Sequence, residues 1–265
     1  MKTKKKDELI LLFNNAIDAI EEPLNKVIAL DDDIEAVHQY RVKIRQLRSL
    51  IAFFKPRLNK MIASEMNLKL KDMASLFAKV RELDVLAQHW QDISDDQDPQ
   101  QHDFGIALIR VKQQARIEAY ANFKAALAKS NLIWIKQQVE NMFENDKKLT
   151  KFIEKRLCQW ISSIRKDVKK LDIEDYPAMH KLRIRIKRLR YSLTLLSDFV
   201  DELMVERIKP SKLWAEQLGV ICDYQRIKEI LNDLFVRDIE PKFMLLNELK
   251  IEVDEIHEQL KNTKI

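Results

Sequence analysis

A chain that contains one helical segment twice has to give both copies the same kind of surroundings. Residues 37–54, VHQYRVKIRQLRSLIAFF, recur 142 positions later as residues 179–196, MHKLRIRIKRLRYSLTLL. His38 aligns with His180, Arg41 with Arg183, Lys43 with Arg185, Arg45 with Lys187 and Arg48 with Arg190. The apolar Tyr40, Ile44, Leu47 and Ile51 fall on Leu182, Ile186, Leu189 and Leu193. An offset of about half the chain marks an internal duplication.

Each copy has a helical period. Val37, Tyr40, Ile44, Leu47, Ile51 and Phe54 follow the three- and four-residue steps of one helix face, with no Gly or Pro inside the segment. One position round, His38, Arg41, Arg45 and Arg48 form a cationic stripe, matched by His180, Arg183, Lys187 and Arg190. On its far side lie Val42, Ser49 and Phe53, with Ile184, Tyr191 and Leu195 in the second copy. A solvated charged face is flanked by further polar residues. Charge held between two partly apolar edges is expected of a stripe that lines a groove between packed helices.

The composition narrows the chemistry. In 265 residues there are two glycines and six prolines, 46% hydrophobic and 34% charged residues, and no convincing alternating strand. That balance predicts an all-α protein with a real core. Gly105 and Gly219 cannot assemble a Walker-type loop or a Rossmann fingerprint, so any bound phosphate must be held by side chains. The net charge is only +5, yet residues 180–191 carry Lys181, Arg183, Arg185, Lys187, Arg188 and Arg190 with no carboxylate among them. Local excess of this kind points to a defined anionic partner. Cys158 and Cys222 stand alone and far apart, which fits a reduced, cytoplasmic protein. The basic start MKTKKKDELILLF is expected not to be a signal peptide, since its apolar run stops at Asn14, Asn15 and Asp18. No stretch has the apolar length of a membrane span.

Along the chain, residues 5–29 read as one amphipathic helix kinked at Pro23, and Asp31-Asp32-Asp33 as the cap of a second helix that ends at Phe54. A third helix is predicted over 57–91 with an interruption near Lys79, a loop over 92–103, and a fourth helix over 104–128. Residues 131–146 read as a connecting helix. The repeat offset then predicts helices over 147–171, 177–200, 202–236 with a break at Pro210, and 240–262. The expected architecture is two pseudo-symmetric antiparallel four-helix bundles, 1–129 and 147–265, joined through 130–146.

The paired segments VHQYRVKIRQLRSL and MHKLRIRIKRLRYSL resemble the two histidine–arginine helix motifs of the CHAD domain, the conserved histidine α-helical domain. LFAKVRELDVL, residues 76–86, resembles the family's L-G-x-x-R-D-x-D-V-L segment, with Ala78 and Glu82 where the family usually has Gly and Asp; LGVICDYQ, residues 218–225, resembles its second-half counterpart. The resemblance implies two bundles enclosing a basic cleft that binds inorganic polyphosphate. Polyphosphate is a flexible chain of charge without bases, and rows of Arg and Lys at one-turn intervals suit it. Arginine offers a planar fork of donors and stays charged at physiological pH.

The expected polyphosphate-binding residues are His38, Arg41, Arg45, Arg48, His180, Arg183, Lys187 and Arg190, with Lys55, Arg81 and Arg226 extending the surface. The two histidines would serve as pH-tunable phosphate donors. Glu82, Asp84 and Asp223 are expected to brace neighbouring arginines, not to bind metal, and no cofactor is foreseen. The leading function is a non-enzymatic polyphosphate-binding module that targets the protein to polyphosphate granules or assists enzymes of phosphate metabolism. A phosphate-releasing or phosphate-transferring enzyme is one alternative, but no acid cluster at metal-ligand spacing supports it. Nucleic-acid binding is another, weakened by the lack of aromatics interleaved with the stripes. A helical scaffold would leave the matched histidines without a reason.

Overall fold

A chain with so little glycine turns corners by ending helices, and every regular element among the described residues is a helix. The computed structural model describes residues 2–29, 34–95, 97–142, 149–172, 175–235 and 239–262. In order these are α1 (Lys2–Asp18), α2 (Glu21–Ile28), α3 (Ile34–Phe54), α4 (Lys60–Ser75), α5 (Ala78–Ile93) and α6 (Pro99–Asn122). Then come α7 (Ala125–Met142), α8 (Leu149–Lys169), α9 (Tyr176–Leu195), α10 (Glu202–Val205), α11 (Ile208–Leu234) and α12 (Ile239–Asn262). Short 3-10 turns, Lys55–Arg57 and Ser197–Phe199, follow α3 and α9. No helix among the described residues is long and apolar enough to cross a membrane.

Several helix ends differ from those expected of the sequence, for local reasons. Pro23 and Pro210 each sit at the third residue of a helix, so the breaks fall before them, at 19–20 and 206–207. In the first turn an amide N–H has no intrahelical acceptor, so proline loses nothing there. The loop expected over 92–103 shrinks to 94–98. Asp98 Oδ1 accepts from the amides of Gln100 at 2.9 Å and Gln101 at 3.1 Å, which caps α6 and places Pro99 at its first position. The helix expected over 104–128 ends instead at Asn122, and α7 starts at Ala125. At that break Phe123 packs on Phe77, with ring centroids 5.4 Å apart. The third helix does divide, at 76–77, and Asn59 Oδ1 caps α4 by accepting from Met61 N and Ile62 N. The expected Asp31–Asp33 cap lies outside the described residues.

Two compact units are built from interleaved stretches. The first comprises Met1–Ala78, Asn122–Ser163 and Lys187–Ser211; the second comprises Lys79–Ala121, Ile164–Ile186 and Lys212–Ile265. In the first, α3 is central and packs on α1, α2 and α4, while α7 packs on α1 and α4. The apolar face of α3 is buried throughout: Val37, Tyr40, Ile44, Leu47, Ile51 and Phe54. Its last turn enters an aromatic cluster in which Phe54 meets Phe13 at 5.8 Å, Phe53 at 5.1 Å and Phe152 at 5.9 Å. In the second unit, Trp90 packs on Phe104 at 4.6 Å and Phe104 on Phe235 at 5.0 Å. Leu83, Leu86, Leu108, Leu218 and Leu231 complete that core.

Phe54 is fully buried at the hinge of the aromatic cluster. Phe54→Ala is expected to cost about 3–5 kcal/mol through lost transfer energy and the cavity left behind. Urea denaturation checks this, and a loss below about 1 kcal/mol would show that α3 is not anchored there.

Candidate anion-binding site

The helix period that buries the apolar face of α3 turns its cationic stripe one position aside. Within the first unit this brings Arg48 of α3 into the electrostatic range of Arg188 on α9 and of its neighbour Arg45. Arg48 is half-buried, and its Nε donates to Asn67 Oδ1 of α4 at 2.9 Å. Its pKa is pushed down, first by burial and then by repulsion from Arg188 and Arg45. No carboxylate among the described residues pairs with Arg48 or Arg188. The folded chain therefore holds the Arg48 proton less firmly than an unfolded one. Burial and like charge thus work against the protonated form in the folded state, and a bound anion would offset the like-charge part.

The other stripe residues of this unit are distributed differently. Lys187 and Arg190 are half-buried on α9, as is His38 on α3. Arg190 lies over the Tyr191 ring at 4.9 Å, and its buried Nε has no acceptor among the described residues. Lys55 is exposed in the turn after α3. Arg41 departs from the open stripe expected of it. It is buried, and its Nη1 donates to the carbonyl of Ala74 in the last turn of α4, where backbone acceptors have no helical partner.

In the second unit the cations are matched by carboxylates. Arg183 Nη2 lies 3.5 Å from Asp223 Oδ1 on α11, and Arg185 pairs with Asp167 of α8. The guanidinium of Arg183 lies against Gly219, where an added Cβ would sit 3.3 Å from Nη2. One of the chain's two glycines thus lets this side chain lie against α11. Arg226 is held on both sides, by Glu82 of α5 at 2.9 Å and Glu229 at 2.7 Å, which raises its pKa above the ordinary arginine value. Arg81 is half-buried on α5.

His180 is exposed, with its ring 6.1 Å from Tyr176. Burial, then Cys222 and Glu229, raise the Tyr176 pKa, while Arg183 and Arg226 oppose them. Asp84 is deeper: its side chain is inaccessible, 3.3 Å from Lys112 and 3.5 Å from Arg116 on α6. No group of three or more His, Cys, Asp or Glu among the described residues is placed to hold a metal ion.

Arg188, Lys112 and Arg116 were not among the site residues expected from the sequence, although Arg188 belongs to the basic run over 180–191. Arg188 falls on Gln46 when the repeats are aligned, so the duplication hides it. The signal that could have found it is the carboxylate-free run over 180–191.

Fold and charge pattern together define an all-helical protein whose α3 and α9 carry His-led cation rows. The CHAD domain model matches residues 12–232, and the chain belongs to that family. Among solved structures it is similar to the crystal structure of the CHAD domain from the plant Ricinus communis. That match has a TM-score of 0.73 and 19% identity, covering 98% of this chain and 92% of the other. It is also similar to PptA from Streptomyces chartreusis, with a TM-score of 0.71 and 14% identity over 97% of this chain and 99% of that one. At these identities the likeness establishes the fold. No curated protein matches the chain.

Two substitutions separate the buried pair from the surface pair. Asp84→Asn is expected to cost about 3–5 kcal/mol, because it leaves Arg116 and Lys112 uncompensated in the interior. Gly219→Ala gains up to about 1 kcal/mol of helix propensity while displacing only the flexible end of Arg183. Its melting temperature should stay level or rise. Thermal denaturation of both variants checks this, and a large loss in Gly219→Ala would mean that Arg183 cannot move.

Proposed function

We propose that this protein binds inorganic polyphosphate without turning it over, through Arg45, Arg48 and Arg188, helped by Lys187, Arg190 and His38 on the same helices. The observation that carries the reading is the half-buried Arg48, pressed by two like charges and paired with no carboxylate. A protein keeps repelling cations together at a cost, and the natural relief is a polyanion. Membership of the CHAD family supports the choice of polyphosphate. Arginine has no proton to exchange near neutral pH, so these side chains suit binding and not acid–base chemistry. His180 and Arg183 form a second row whose charge is partly met by Asp223. Such a module would target the chain to polyphosphate stores in the cytoplasm or assist enzymes of phosphate metabolism.

Titration against long-chain polyphosphate at two salt concentrations tests this. Affinity should fall steeply with salt as counterion release loses its advantage. Arg48→Ala and Arg188→Ala should each weaken binding about tenfold, the scale of one charge-assisted contact. Excess single-stranded RNA should not displace the ligand at physiological salt. Salt-insensitive binding, or variants that bind like wild type, would contradict the proposal.

A further inference from the structure

We propose that Arg156 of α8 is a further phosphate-contacting residue, which continues the cation row of α3 and makes the site favour long polyanions. The inference rests on the polyphosphate reading above.

Along α3 the stripe steps from Arg41 to Arg45 and Arg48, and the next positions at the same period are Ala52 and Lys55. At Ala52 the helix itself offers only a methyl group. There α8 supplies a guanidinium, for Arg156 Nη2 lies 3.3 Å from the carbonyl oxygen of Ala52. Arg45, Arg48, Arg156 and Lys55 thus follow one another over roughly 15 Å of helix axis.

The state of Arg156 is that of a cation without a counter-charge. It is half-buried, no carboxylate among the described residues pairs with it, and burial alone pushes its pKa down. Its Nε is buried with no acceptor among the described residues, and the Ala52 carbonyl accepts from one of the five N–H donors a guanidinium carries. Arg41 makes the analogous contact to α4 but is buried, whereas Arg156 retains an accessible portion.

Aromatic rings hold it in place. Its Cζ lies 5.7 Å from the Phe53 ring centre and 5.3 Å from that of Trp160. Trp160 itself packs edge-on against Phe53 at 5.2 Å. A guanidinium fixed between rings gives up little further freedom when it takes a phosphate. One helical turn before it on α8, Phe152 carries Arg57 over its ring at 4.7 Å, so positive charge continues past this point. A short anion seated at Arg45, Arg48 and Arg188 would not need to reach Arg156, while a longer chain would cover it.

The test compares long-chain polyphosphate with tripolyphosphate on wild type, Arg156→Gln and Arg156→Lys, across a salt series. Arg156→Gln should bind the long chain about tenfold more weakly. Its slope of log affinity against log salt should be shallower by about one. Its affinity for tripolyphosphate should not change, and Arg156→Lys should restore the slope.

A purely structural Arg156 would lower the melting temperature of Arg156→Gln and leave the slope alone; that result overturns the assignment while the polyphosphate reading stands. If wild type binds neither anion, both fall together. Should Arg156→Gln not fold, phenylglyoxal labelling of wild type followed by mass spectrometry decides. Long-chain polyphosphate should protect Arg156 and tripolyphosphate should not, and equal labelling with and without the long chain would overturn the proposal.

Discussion

Arg48 is kept within reach of two like charges, Arg45 and Arg188, by forces that have nothing to do with charge. The apolar face of α3 supplies the restraint. Val37, Tyr40, Ile44, Leu47, Ile51 and Phe54 are all buried, and each fully buried large side chain contributes about 1.5–3 kcal/mol. The cationic stripe lies one position round from that face, so it cannot swing away without unpacking the core. Repulsion that would disperse free side chains is thereby stored at a fixed place. On the proposed reading, an arriving polyanion would meet donors already gathered, with much of the ordering cost met during folding.

Charge is handled in the opposite way in the second unit. There Arg183, Arg185 and Arg226 each face a carboxylate, and Asp84 is buried beneath Lys112 and Arg116. Half-exposed pairs such as Arg183 with Asp223 add little stability, but they hold a guanidinium in a chosen place. Gly219 leaves room beside it, since an added Cβ would sit 3.3 Å from the Arg183 guanidinium. Aligned positions of the two repeats therefore differ in what surrounds them. Arg41 donates to the carbonyl of Ala74, whereas its counterpart Arg183 is held by the carboxylate of Asp223.

The helices and the cationic rows were legible because both depend on period, and a stripe at three- and four-residue steps survives any choice of neighbours. Helix ends were less so. Pro23, Pro99 and Pro210 look like interruptions in a linear reading, yet each occupies a first turn, where its missing N–H costs nothing. The roles of individual arginines were not legible. Arg41 and Arg45 are equivalent in the pattern, yet the end of α4 presents the Ala74 carbonyl to Arg41. Arg156 lies on a helix with no counterpart to the motif, and what distinguishes it is the pairing of α8 with the carbonyl of Ala52. Contacts made by tertiary packing leave no periodic trace.

Stored repulsion is the central claim, and thermal denaturation of Arg188→Ala without and with polyphosphate reaches it most directly. Arg188 is exposed and adds little packing, so its removal should relieve Arg48 and raise the melting temperature of the ligand-free protein above wild type. The further rise on adding polyphosphate should shrink, since less repulsion remains to be relieved. A variant that melts at or below wild type, and gains as much from polyphosphate, would show that the arginines gathered here are not held against their charge.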